Sequence, residues 1–157
     1  MEWGLAIGLF AAAIAAILPG MGSAKAVGLA GETAAGVSAE TPEASSKLTL
    51  LQLLPATQGI YGFVIAIVIM AKIGIMGGSG AAVPVDKALM LLAAALPIAL
   101  VGYFSAIAQG KCAAGSMLMV GRRPEMQGKG MMMTAMVETY AVLALLISFL
   151  CVNAIVL

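Results

Sequence analysis

Charge is so sparse in this chain that its ionised residues cut it into long neutral runs at 3–24, 48–71, 88–110 and 130–157, the last interrupted only by Glu138. Each run reaches the ~20 residues that a helix needs to cross a hydrocarbon core. A spanning segment in lipid must satisfy its own backbone hydrogen bonds, which a helix does without a partner. Of 157 residues, 62% are hydrophobic and only 10% charged, where a soluble domain carries roughly 25%. The sequence therefore predicts an all-α membrane protein with four transmembrane helices.

The first run resembles a signal peptide in length, but Glu2 stands where a positive n-region belongs, and the run matches a later helix of the same chain. It is expected to be a retained helix. Cys112 and Cys151 lie in separate apolar runs, with no histidine and no CxxC spacing, so neither a disulfide nor a metal centre is expected. A net charge of +1 implies no attraction to nucleic acid. Lys111, Arg122, Arg123 and Lys129 cluster around the connection between the third and fourth runs. By the positive-inside rule this places the 121–128 loop, and with it the acidic 31–47 loop, in the cytoplasm. Both termini and the 73–87 loop then face outward.

The chain also repeats itself. GSAKAVGLAG (22–31) resembles AQGKCAAGSM (108–117), setting Ser23 opposite Gln109 and Lys25 opposite Lys111. QGIYGFVIAIVIM (58–70) resembles ETYAVLALLISFL (138–150), setting Gln58 opposite Glu138. The first half of the chain holds six extra residues, which are expected in the Pro/Ser/Glu-rich tether SAETPEASSK (38–47). Two tandem hairpins in the same orientation follow, 1–75 and 76–157. Small residues recur every fourth position at Gly4, Gly8, Ala12, Ala16, Gly20, Ala24 and Gly28, and again at Gly102, Ala106, Gly110 and Ala114. Such stripes let helices approach closely in lipid. They leave two arrangements open: one sealed four-helix bundle, or a tight inner wall of helices one and three with two and four outside.

An ionised acid inside a bilayer is costly enough to imply a function, and hairpin distances say what surrounds this one. With the second turn at Pro124, Gln109 lies fifteen residues before it and Glu138 fourteen after it. Both then sit roughly 20 Å from the turn at 1.5 Å per residue. With the first turn near Thr41–Pro42, Gln58 falls at a similar depth. In LLPATQGIYG (53–62), Thr57 and Gln58 offer oxygens and Tyr61 follows one turn later. Pro55 lacks an N–H, so the Leu51 carbonyl loses its helical partner and is the favoured backbone ligand. An all-oxygen set of Glu138, Gln58, Thr57, Gln109 and a carbonyl suits a hard cation. One negative charge matches Na+, with Li+ not distinguished, whereas a proton needs only the carboxyl and one partner. Taken singly, Thr57 could bond its own helix backbone, the two glutamines could simply join helices, and Tyr61 could be packing.

The motifs LLPATQGIYGFVIA, AIAQGKCAAG and MVETYAVLALLISFL, spread over essentially the whole chain, resemble the proteolipid subunit (subunit K) of the V/A-type rotary ATPases, most of all the bacterial sodium-translocating form. The resemblance implies a multi-pass protein of the bacterial cell membrane that assembles with copies of itself into a rotor ring. Its partners would be a stator membrane subunit with an essential arginine, central-stalk subunits and the lipid bilayer. It further implies Glu138 as the ion-binding carboxylate, Thr57, Gln58 and Gln109 as side-chain ligands of Na+, and Leu54 as the residue giving a backbone carbonyl. Tyr61 would hydrogen-bond Glu138 and lock the site. The chain departs from the family pattern at Ala56, where glycine is usual.

No nucleotide-binding glycine loop is present, so ATP hydrolysis is expected on other subunits. The alternatives are the same rotor carrying H+, a stand-alone four-helix channel or carrier, and an assembly module in which Glu138 only pairs with a partner helix.

Overall fold

The computed structural model describes residues 3–78 and 82–157. Among them four helices are long and apolar enough to cross a membrane: α1 Trp3–Glu40, α2 Pro42–Lys72, α3 Val85–Arg122 and α4 Pro124–Ala154. The four expected spans are all present, but α1 and α3 run well past the ends of their neutral stretches. At 38 residues each they are about 57 Å long, nearly twice the thickness of a hydrocarbon core.

This corrects the reading of 31–47 and 121–128 as loops. Residues through Glu40 and through Arg122 are helical, and the breaks come at Thr41 and Arg123. Each of these precedes a proline, whose ring clashes with a helical residue before it and forces that residue toward extended geometry. Thr41 (φ −136°, ψ 78°) and Arg123 (φ −141°, ψ 86°) adopt nearly the same conformation. A short 3-10 turn follows each, at Pro42–Ala44 and Pro124–Met126. The tether expected at 38–47 is thus almost entirely helical. Counted from these two turns, the first hairpin is four residues longer back to Ser23 than the second is to Gln109, and two residues longer forward to Gln58 than the second is to Glu138. The six extra residues lengthen helices and add nothing to a loop. At the other end, Gly74 and Gly78 turn the chain with φ of 77° and 71°, a left-handed conformation that glycine adopts without penalty. Residues 79–81 of the expected 73–87 connection lie outside the described part.

The most extensive packing in the molecule is between α1 and α3. Each also packs along its own hairpin partner, while α2 and α4 touch only lightly. This is the second of the two arrangements left open, an inner pair flanked by α2 and α4. Within its most apolar stretch α3 is 44% buried and α4 only 22%, which makes α4 the most exposed wall. Close approach of α1 to α3 rests on glycine. A Cβ on Gly22 would come 2.7 Å from the Tyr103 carbonyl oxygen, and one on Gly110 would come 2.7 Å from Ala26.

The expected four-residue ladder on α1 serves this seam only in part. Gly4, Gly8 and Ala12 are buried, but Gly20 and Gly28 have open space beside them and Ala24 is exposed. A spacing of four overshoots the 3.6-residue turn, so the ladder drifts off the contact face, which Ala15, Pro19, Gly22, Ala26 and Ala30 take over. The α3 ladder stays in register through Gly102, Ala106 and Gly110, then drifts too: Ala114 is only half-buried and Ala113 takes its place.

Two apolar cores result. One, toward the chain termini, includes Ala15, Ile65, Ile69, Leu91, Ile98 and Ala144. The other, toward the X-Pro turns, includes Ala30, Leu48, Leu51, Ala113, Met117 and Val120. The polar residues singled out in the sequence fall between them.

Candidate functional site

The site begins with the interruption of α2. Pro55 cannot donate a backbone hydrogen bond, and the helix tightens into a 3-10 turn over Leu54–Ala56 before resuming at Thr57. The Thr57 hydroxyl donates to the Leu54 carbonyl at 2.9 Å, and its oxygen lies 3.5 Å from Gln58 Oε1. The carbonyl drawn into the polar layer is therefore that of Leu54. Pro55 alone favoured the Leu51 carbonyl; the side chain of Leu51 packs into the core, while the Leu54 carbonyl accepts both the N–H and the hydroxyl of Thr57.

Gln58 points from α2 into the centre of the molecule and is fully buried, as is Gln109 on α3. Gln58 Nε2 donates to Gln109 Oε1 at 2.5 Å, and Gln109 Nε2 donates to the Thr134 carbonyl on α4 at 3.2 Å. Three helices are thus tied at one level. Glu138 stands one turn beyond Thr134, near the midpoint of α4, and is half-buried. The Tyr61 hydroxyl on α2 donates a hydrogen bond to Glu138 Oε1. Thr57, Gln58, Gln109 and the Leu54 carbonyl thus form one chain of contacts and Tyr61 and Glu138 a hydrogen-bonded pair next to it along α2 and α4, near the shared depth expected from the hairpin distances. On its outer side Glu138, with Ala135, Thr139, Val142 and Leu143, lines a shallow apolar hollow open to the surroundings.

Several polar groups that hold this layer carried no distinctive sequence signal. The Thr134 hydroxyl donates to the Gly130 carbonyl at 2.9 Å and lies 3.2 Å from Ser116 Oγ, tying α3 to α4 about two turns along α3 from Gln109 toward the X-Pro turns. Ser105 Oγ donates to the carbonyl of Val137, the residue before the acid, at 3.1 Å. In the first hairpin Ser23 Oγ accepts the N–H of Gly59 at 2.9 Å. The internal repeat, which sets Ser23 opposite Gln109, is the only sequence signal of its place. Among the described residues no buried side-chain nitrogen or oxygen lacks a partner, as buried polar groups require.

A membrane bundle made of two parallel hairpins, with one carboxylate facing neutral oxygens at mid-helix, has the form of an ion-handling membrane protein. The family pattern of the ATP synthase C subunit matches residues 10–69 and again residues 92–151, once in each hairpin; the chain belongs to that family. It is 46% identical to the V-type sodium ATPase subunit K of Enterococcus hirae over 95% of this chain and 92% of that protein. It is 36% identical to the A-type ATP synthase subunit K of Methanocaldococcus jannaschii, over 90% of this chain and 61% of that one. The protein is accordingly a proteolipid subunit of the V/A-type ATPases.

Proposed function

We propose that copies of this chain form a rotor ring that binds Na+ at Glu138 and carries it past a stator subunit as ATP hydrolysis on other subunits turns the ring. The observation that carries this reading is the oxygen-lined layer itself. A single carboxylate at mid-helix, held by the Tyr61 hydroxyl, lies one turn along α4 from Thr134, whose carbonyl ends a chain of contacts running through Gln109, Gln58, the Thr57 hydroxyl and the Leu54 carbonyl. Oxygen-only donor sets suit hard cations, and one negative charge balances one monovalent ion. The sodium-type relative supports Na+ over H+ as cargo.

Each residue then has a task. Glu138 supplies the charge, and a bound cation neutralises it, which lowers the cost of passing the site through hydrocarbon. Gln58, Gln109, Thr57 and Leu54 replace water around the ion. Tyr61 holds the carboxylate turned inward, toward these oxygens. Where the ring meets the stator, a partner arginine draws Glu138 away from Tyr61 and toward the hollow outside α4, and the ion leaves. Both termini face the outer side of a bacterial cell membrane in this reading, with the X-Pro turns in the cytoplasm, because Arg122, Arg123 and Lys129 gather there.

Glu138→Gln keeps the size and hydrogen-bonding capacity of the side chain while removing its charge. The assembled ATPase carrying it is expected to lose ion transport; transport at the wild-type rate would refute the assignment.

A further inference from the structure

We infer that the two X-Pro tips form an electrostatic contact between neighbouring copies of this chain, the acidic first tip of one copy docking against the basic second tip of the next. The inference rests on the ring reading given above. Around the first tip Glu32, Glu40 and Glu43 outnumber Lys47; around the second Arg122, Arg123 and Lys129 outnumber Glu125. All of these except Lys47 are exposed. Between the two tips of one chain, Lys47 Nζ donates to the Pro124 carbonyl at 3.3 Å. That contact, with Gly121 packed against Val37, fixes the relative height of the tips: Thr41 lies four residues past Val37 and Arg123 two past Gly121, so the first projects about half a helical turn, ~3 Å, past the second. Glu40 and Glu43 therefore stand just above the level of Arg122 and Arg123, within the reach of an arginine side chain.

The charges are laid out for a head-to-tail neighbour. In a closed ring each basic tip has an acidic tip on both sides, one from its own chain and one from the adjacent copy. A surface for such a neighbour is present lower down. The part of the α1 ladder that drifts off the internal seam, Gly20, Ala24 and Gly28, faces open space, as does Gly115 on α3. Small residues of this kind already seal the α1–α3 seam inside the chain. A second copy seated there brings tips of opposite charge together at the top. Complementary charge fixes register and disfavours wrong neighbours, since like charges set side by side cost several kcal/mol. First tips cannot pair with first tips, nor second with second, so the alternation of hairpins around the ring is enforced.

The test uses full-length chains bearing two different tags. One variant carries Glu40→Lys and Glu43→Lys, so that both its tips are basic; the other carries Arg122→Glu and Arg123→Glu, so that both are acidic. Each expressed alone is expected to give about tenfold less detergent-stable oligomer than wild type at low salt, with the deficit shrinking at high salt. Co-expressed, they are expected to recover as mixed rings, purified through both tags. Recovery by mixing isolates the contact between copies, because the like-charged tips within each chain remain. Rings that form equally well from either variant alone would overturn the inference, including the case in which only attachment to the soluble part of the ATPase is lost. A wild-type chain that proves monomeric would remove the ring reading itself, which is a distinguishable failure.

Discussion

The two hairpins share their turn geometry and their depth, and they differ most at the residue each sets at mid-membrane. Gln58, on α2, is fully enclosed and spends its amide on Gln109. Glu138, its counterpart on α4, is half-buried, with the Tyr61 hydroxyl on its inner side and an apolar hollow on its outer side. A neutral amide can be sealed among helices at little cost once it is hydrogen-bonded. A carboxylate that must gain and lose a partner needs an exit, and the most exposed wall of the molecule provides one. Duplication thus supplied two equivalent polar positions, and packing decided which could carry the charge.

The sharpest way to break this comparison is to move the acid. A chain with Glu138→Gln and Gln58→Glu keeps the same composition and depth, yet is expected to transport no ion in the assembled ATPase. Its acid would be sealed against Gln109, away from the outer face. Measurable transport by this swap would make the two positions interchangeable. Next in size is the seam that gives both hairpins a common depth. Gly110→Leu must displace Ala26, and overpacking costs about 1–3 kcal/mol in well-packed cores; a clear fall in the thermal stability of the purified oligomer is expected.

Tyr61→Phe removes the one hydrogen bond that α2 makes to the acid. A hydrogen bond to a charged group is worth about 1.5–3 kcal/mol, so roughly tenfold or greater loss of Na+ affinity is expected, readable as a rise in the Na+ concentration needed for half-maximal ATPase activity. Thr134→Val is the smallest change. It removes the hydroxyl contact with Ser116 but leaves the backbone carbonyl that holds Gln109. Side-chain hydrogen bonds in membrane bundles average about 0.6 kcal/mol, so the same concentration should shift by no more than about threefold. A larger effect would move Thr134 from support of the layer into its centre.

How much of this was legible in the sequence depends on which property each residue expresses. Charge-free runs gave the number of spans, because lipid tolerates little else. They misplaced the helix ends, since hydropathy marks where lipid stops and a charged helix continues into water. Thr41 and Arg123 end α1 and α3 through the proline that follows each, a local steric effect that locates the turns better than polarity does. Counting residues from those prolines put Gln109 and Glu138 at one level, and their layer follows from that arithmetic. Ser105, Ser116 and Thr134 stayed hidden because a hydroxyl bonded to a backbone carbonyl or to another hydroxyl leaves no spacing pattern, whereas Ser23 was marked only by the repeat. The drift of the α1 ladder beyond Ala12 was lost for a related reason: a four-residue spacing looks continuous in one dimension and precesses in three.

The central claim is that the oxygens beside Glu138 hold Na+. Carbodiimide reacts with a protonated carboxyl that no cation covers, so its reaction with Glu138 in the purified ring reports whether the site is filled. Labelling at fixed pH is expected to fall as Na+ is added, with K+ at equal ionic strength giving no protection. Labelling that responds to pH but is indifferent to Na+ would contradict the claim and make the cargo a proton.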